Sequence, residues 1–252
     1  MKHILMYPIG STDASTYAAA SLKEAGVPLT DHPSPEVTHL LLDVPSFALD
    51  GSLRGGGNLT AVLERLPDGI TVIGGKLKHP ALAGYPVLDL LRDPEYLACN
   101  GAITAECALR VASPLLPTIL ADTPALVIGW GRIGKCLAKR LSGLGCPVTI
   151  AARNPADRAM AAALDYDTTD IPQISEVLPK IRLLFNTAPA PILESDTLDN
   201  YEKCVKIDLA SSPGLAGSGI IYARGLPAQY APESSGRLMA KTIARHLWEG
   251  TI

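Results

Sequence analysis

The chain has 252 residues, 47% of them hydrophobic and 19% charged, so it can bury a sizeable core and is not a disordered chain. A net charge of −3 and an aromatic content of 5% offer neither a phosphate-backbone footprint nor base-stacking platforms, which excludes nucleic acid as a partner. No apolar run approaches the roughly 18 residues of a membrane span, and the length allows one large domain or two compact ones.

The elements follow a strand, turn, helix rhythm. Met1–Gly10 lacks the apolar region and cleavage site of a signal peptide, and His3–Tyr7 within it reads as a first strand. Ser11, Thr12 and Asp13 are available caps for a helix over Ala14–Ala25 that Gly26 stops. His39–Val44 is a buried-strand candidate closed by Pro45, Leu59–Leu66 a short helix, and Ile70–Ile73 another strand. Asp93–Ala112 is helical and reads as the hinge between two domains, with Pro114 and Pro117 behind it. Further strands are expected at Ala125–Trp130, Val148–Ala152, Ile181–Asn186 and Cys204–Leu209, with Ile220–Tyr222 and Ala228–Tyr230 as weaker candidates. Ser235–Trp248 is an amphipathic helix with Leu238, Met239, Ile243 and Leu247 on one face. The expected domains are 1–95 plus 233–252, and 96–232. Strands and helices alternating in this way predict an α/β chain of two doubly wound parallel-sheet domains.

Five cysteines, none in a C-x-x-C pair, suit reduced structural thiols in a cytoplasmic protein. No His/Cys cluster has metal-ligand spacing, so no metal is expected.

The sharpest motif is Gly129-Trp130-Gly131-Arg132-Ile133-Gly134, between an apolar strand and a helix, with a second strand after it. Gly129 permits the tight turn, Gly131 lets the backbone approach a pyrophosphate, and Gly134 lets helix and strand pack closely. The helix N-terminus supplies free N–H groups to the anion. The second domain is therefore expected to be a Rossmann dinucleotide-binding domain. An acidic residue at the end of the second strand would hold the ribose hydroxyls of NAD; here stand Arg153 and Asn154, and a guanidinium suits a 2′-phosphate, so the expected cofactor is NADP. Histidines stand at 3, 32, 39, 79 and 246, leaving the dinucleotide domain without one, which argues against a dehydrogenase of 2-hydroxy acids whose base lies in that domain.

Asn100 with Thr104-Ala105-Glu106, the glycine turn with Ala151-Ala152-Arg153, Phe185-Asn-Thr-Ala-Pro189, Ile207-Asp-Leu-Ala-Ser-Ser-Pro-Gly214, and Gly225-Leu-Pro227 with Ala231-Pro-Glu-Ser-Ser-Gly236 occur in an order and spacing that resemble the A subunit of dipicolinate synthase. The likeness runs from about Asp93 to the C-terminus; the first domain matches in outline and is shorter. The resemblance implies an active site in a cleft between two α/β domains. It implies oxidation of a dihydrodipicolinate-type cyclic imino dicarboxylate to dipicolinate, with hydride passing to NADP. It further implies that the partner is a flavoprotein-like B subunit, and a place in a sporulating bacterium. The chain departs from the family at Ser212 and Glu233, where basic residues are usual, and at Leu215, where glycine is usual. Lys76, Lys78, Arg92, Arg132 and Arg224 are the cations that could compensate.

Strand ends then assign roles. Asn186, Thr187, Ala188 and Pro189 are expected around the ribose and nicotinamide, with Ser211 and Asp208 positioning nicotinamide or ring. Aromatisation loses a ring proton as well as a hydride, which makes Glu106 the candidate base, with Thr104 and Asn100 hydrogen-bonding the substrate. Gly55-Gly56-Gly57-Asn58 offers a run of N–H groups that could form an anion nest, against the plainer reading of a surface loop. Two other functions stay open: a dehydrogenase of another imino or amino acid, and a nicotinamide-binding regulatory subunit without turnover. A homo-oligomer also stays open.

Overall fold

A computed structural model of the chain describes residues 3–250; residues 1, 2, 251 and 252, which the expected first domain includes, lie outside the described residues. In chain order the elements are β1 (Met6–Pro8), α1 (Asp13–Glu24), β2 (His39–Leu41), α2 (Leu59–Leu63), β3 (Thr71–Gly74), β4 (Val87–Asp89) and α3 (Pro94–Ala112). Then come β5 (Ala125–Ile128), α4 (Arg132–Gly143), β6 (Val148–Ala151), α5 (Pro155–Ala162), β7 (Asp167–Thr169), α6 (Ile174–Val177) and β8 (Leu183–Asn186). The rest are α7 (Ser195–Leu198), β9 (Val205–Asp208), β10 (Ile220–Tyr222), α8 (Leu226–Tyr230) and α9 (Pro232–Glu249). They form two compact units, one made of the described residues through Asn100 and from Pro227 on, the other of Gly101–Leu226.

The first unit holds a parallel sheet in the order β1-β2-β3-β4. Its strands are short apolar runs, and the core under them gathers Leu40, Leu42, Leu59, Leu63, Val72 and Leu77. The Thr12 side chain caps α1 by accepting the Ser15 N–H, and Gly26, at φ +84°, ends the helix region. Ala14, Ala18 and Leu22 bury one face of α1, and α9 packs against α1. Gly236 makes that approach close: a side chain there would run into the Ala14 carbonyl and the backbone of Ala18. A second tie joins α9 to the start of α3. The Asp93 carboxylate accepts the Tyr96 N–H at 2.8 Å, capping α3, and takes Arg245 at 2.6 Å and His246 at 2.8 Å on its other oxygen.

The second unit holds a six-stranded parallel sheet in the order β10-β9-β8-β5-β6-β7. This is the doubly wound order whose reversal, between β5 and β8, opens a crevice beyond the carboxyl ends of the strands. Leu126, Ile128, Leu184, Ile174, Leu178 and Leu215 meet in its core. Leu215, where a glycine would leave space, fills part of that core and is 2% exposed.

Two strands are absent from the sequence reading: β4, Val-Leu-Asp, only three residues long with Leu88 buried and Val87 exposed, and β7, Asp-Thr-Thr, which has no apolar residue, both at sheet edges. The strand expected at Ala228–Tyr230 is corrected to helix α8. Pro227 falls in its first turn, where a missing N–H costs nothing, and the preset φ favours the helix. No helix among the described residues is long and apolar enough to cross a membrane. Burial pushes the Cys146 and Cys204 thiols up to about 11, which makes them inert fillers of the interior.

Candidate dinucleotide site

Loops at the carboxyl ends of β5, β6, β8 and β9 carry most of the residues singled out above. The parallel register sets all of these ends on one side of the second sheet.

The turn after β5 has the geometry that a pyrophosphate requires. Gly129 sits at φ +98°, in the left-handed region, and a side chain there would strike the Thr187 hydroxyl. At Gly134 a side chain would collide with the Gly129 carbonyl, so only glycine lets α4 start this close to the strand. Gly131 faces open space, with nothing within 4 Å of where a side chain would begin. It is the N-cap of α4 and supplies no side-chain cap. The N–H groups of Arg132, Ile133 and Gly134 consequently have no acceptor among the described residues, and the positive end of the helix is left bare. Leu137 and Leu141 anchor α4 on the sheet, both fully buried, while Lys135 and Lys139 face outward.

The Trp130 side chain forms a wall of the turn. It is 7% exposed, lies edge-on to Tyr166 at 5.7 Å, and has the Lys135 ammonium 5.8 Å from its ring centre. Its indole N–H finds no partner among the described residues.

At the end of β6, Arg153 is exposed. Asn154 turns inward on its own chain: its side-chain oxygen accepts the Ala156 N–H at 3.0 Å and caps α5, so that side chain starts a helix rather than holding a ligand. Arg158 is a residue that sequence reasoning missed. Its guanidinium donates to the Ala152 and Arg153 carbonyls at 2.6 and 2.9 Å and pairs with Asp170 at 3.1 Å. It fixes the strand end from which Arg153 projects. Its signal was available in the sequence, one helical turn beyond the Asn154 cap.

Beyond β8, Asn186 is wholly buried and closes a turn on Ala188, accepting its N–H and donating to its carbonyl, both at 3.1 Å. Asn186 therefore shapes the loop and is not exposed to a ribose. The Thr187 hydroxyl donates to the Ile128 carbonyl at 2.9 Å and locks this loop to the glycine turn, while Pro189 is exposed. Beyond β9, Asp208 is fully buried and its oxygens accept the N–H groups of Ala210, Gly214 and Leu215 at 3.0, 2.7 and 3.1 Å. These bonds spend Asp208 on holding the loop, and Arg224 also approaches its Oδ1 at 3.5 Å. Arg224 donates to the Asp208 carbonyl at 2.6 Å, which removes it from the compensating cations. Ser211 and Ser212 lie exposed on the loop so held.

On α3, Gly101 packs against Arg132: a side chain there would meet the Arg132 Cβ at 3.3 Å. This glycine, also missed from the sequence, seats α3 on the first turn of α4. Thr104 is buried on α3, and Asn100 is partly buried just before the unit boundary. Glu106 is exposed and pairs with Arg110 at 3.6 Å, one turn on. Glu233 likewise pairs with Arg237 at 2.6 Å on α9. Lys76, Lys78, Arg92 and Arg132 are exposed.

No protein-family model matches the chain. The chain is 27% identical over 159 residues to the A subunit of dipicolinate synthase of Bacillus subtilis (strain 168), a match covering 60% of this chain and 54% of that protein. The matched region thus spans about half the length of that relative. The crystal structure of the same enzyme's A subunit from Bacillus halodurans superimposes with a TM-score of 0.85 at 20% identity, covering 97% of this chain and 98% of that one. The transhydrogenase from Sinorhizobium meliloti gives a TM-score of 0.69 at 15% identity over 96% and 93%. The resemblance to the A subunit of dipicolinate synthase expected from the motifs is borne out, and so is the α/β class with its Rossmann-type unit.

Proposed function

We propose that the chain is the NADP-binding subunit of an oxidoreductase that converts a dihydrodipicolinate-type cyclic imino dicarboxylate to dipicolinate. The observation that carries this reading is the bare first turn of α4 behind Gly131, built to take a pyrophosphate, in a chain similar to the A subunit of dipicolinate synthase. The nicotinamide supplies a hydride acceptor when bound. The chain's own contribution is to hold the pyrophosphate on the Arg132, Ile133 and Gly134 N–H groups, with the locked Thr187 loop as the wall of the crevice. Ala188, Pro189 and Ser211 line the nicotinamide end in this reading, and Asn100 and Thr104 orient the substrate. Glu106 is proposed as the group that accepts the ring proton lost on aromatisation. Glu106→Gln should then lower turnover by about 10²-fold or more with NADPH affinity unchanged; unchanged turnover removes it from the mechanism.

NADP is proposed over NAD because Arg153 stands where an acidic residue would contact the ribose, with the Arg158 guanidinium fixing the same strand end. Arg153→Ala is expected to weaken NADPH about tenfold, which is about 1.4 kcal/mol, and to leave NADH within about twofold. Equal losses for both cofactors in a calorimetric titration would contradict the assignment.

By the same reading the chain works with a flavoprotein-like B subunit. A second reading, a dehydrogenase of another imino or amino acid, is favoured by the uncharged Ser212 and by Glu233, which pairs with Arg237. Mixing the protein with NADP, a dihydrodipicolinate-generating system and the B subunit distinguishes the two. Ultraviolet detection of dipicolinate that requires both proteins supports the first reading; NADP binding without dipicolinate contradicts it.

A further inference from the structure

The first unit contains a cavity of about 230 Å³ beyond the carboxyl ends of β1 and β2, walled by Tyr7, Leu53 and Val62 and by the loop Arg54-Gly55-Gly56-Gly57. The volume falls below the roughly 300–1,000 Å³ of pockets for drug-sized ligands, so it suits a single small ring or short chain.

The charges in it are unequally committed. Asp43, at the floor, is 4% exposed. One of its oxygens accepts the Ser11 N–H and hydroxyl, and the other accepts the Thr12 N–H and the Thr12 and Ser15 hydroxyls, at 2.6–3.2 Å. The positive end of α1 adds to that neutralisation. Burial alone would push the Asp43 carboxyl up; the hydroxyls of Ser15 and Thr12 and the backbone donors outweigh it and hold the carboxyl below its ordinary value. Asp43 is thus an ionised group whose lone pairs are taken.

Arg54 is the opposite case. It is exposed, it lines the cavity, and its guanidinium makes no ion pair or hydrogen bond among the described residues. The loop after it adds donors. Gly55 and Gly57 present N–H groups with no acceptor among the described residues. Gly56 and Gly57, at φ +87° and +91°, hold a left-handed path that a side chain would strain. Ser11 packs directly against Gly55, where a larger residue would close that wall.

We propose that this cavity binds one carboxylate of a small organic acid, taken by the Arg54 guanidinium and the Gly55 and Gly57 N–H groups, with the body of the ligand against Tyr7, Leu53 and Val62. A guanidinium fork flanked by aimed N–H groups suits an oxyanion, and the apolar wall of Leu53 and Val62 favours one that carries an organic body over inorganic phosphate. With Asp43 committed to its own donors, Arg54 is the one uncommitted charge among the described residues that line the cavity, which suits one carboxylate end rather than two. The site lies wholly in the first unit and does not depend on the cofactor or on the reaction proposed above.

The test uses the full chain without cofactor, with picolinate and then pyridine-2,6-dicarboxylate as probes and inorganic phosphate as the comparison anion, all with a chelator present. The expected result is that both carboxylates shift the amide resonances of Gly55, Gly57 and Ser11. Arg54→Gln should weaken both at least tenfold while its thermal transition and NADPH titration stay as in the unaltered chain. Binding that leaves those amides unmoved, equal affinity in Arg54→Gln, or phosphate bound as tightly as picolinate overturns the proposal. A normal NADPH titration alongside any of these outcomes leaves the cofactor reading standing.

Discussion

Gly134→Val is expected to abolish dinucleotide binding and to lower stability by about 1–3 kcal/mol, the usual cost of overpacking. The new side chain meets a backbone carbonyl, that of Gly129, rather than the yielding end of a flexible side chain. Either α4 withdraws from β5 or the turn opens, and in both cases the bare N–H groups leave the place proposed for the pyrophosphate. Gly131→Ala separates the two functions of the turn. Nothing lies within 4 Å of its added methyl, so the fold should hold to within about 1 kcal/mol, the scale of a lost glycine N-cap. The methyl nonetheless occupies the open side of the turn, from which a phosphate would approach in the proposed reading, so NADPH affinity should drop. Thermal melts with paired calorimetric titrations check both variants. A Gly134→Val protein that binds NADPH normally would remove the steric account of the turn.

The second large effect lies in the other unit. Asp93 ties the start of α3 to α9 through Arg245 and His246, and its side chain is only 7% exposed. Burial alone would push its carboxyl up. The Tyr96 N–H, His246 and Arg245 reverse that and hold it at about 2. A folded value of about 2 against an ordinary value of 3.8 corresponds to about 2 kcal/mol of stability. Because the folded value is depressed, that stability is fully present above about pH 4 and is lost as pH falls toward 2. Asp93→Asn keeps a capping oxygen for Tyr96 but loses the charge, so it should cost about 2 kcal/mol at pH 7 and flatten the acid limb of the stability profile between pH 4 and pH 2. Denaturant melts over that range measure it; an unchanged acid limb would show that the tie contributes nothing.

The parts of this fold that are legible in the sequence are those where one requirement dominates. The β5–α4–β6 segment combines four-residue apolar strands, an apolar face at Leu137 and Leu141, and glycines that nothing else can replace. Strands β4 and β7 hide because edge strands need few apolar residues: Asp167 and Thr168 are exposed, and their pairing with β6 is a matter of backbone alone. Roles at the strand ends are harder still. Asp208 and Asn186 have the composition of reacting groups, but both side chains are spent on neighbouring backbone, and only coordinates show where a lone pair goes. The reverse holds for Arg54, which carries no motif and gains meaning only from the cavity it lines. Arg158 and Gly101 are intermediate: an arginine one turn past a helix cap and a glycine inside a helical pattern are readable signals once their neighbours, the end of β6 and Arg132, are known.

An NADP(H) site in the second unit is the claim on which the proposed chemistry depends most. Titration of the full chain with NADPH and with NADH, side by side in a calorimeter, tests that directly. The expected result is one site per chain with NADPH bound at least about tenfold more tightly, a difference of about 1.4 kcal/mol. No binding of either, or NADH bound as tightly as NADPH, would contradict it.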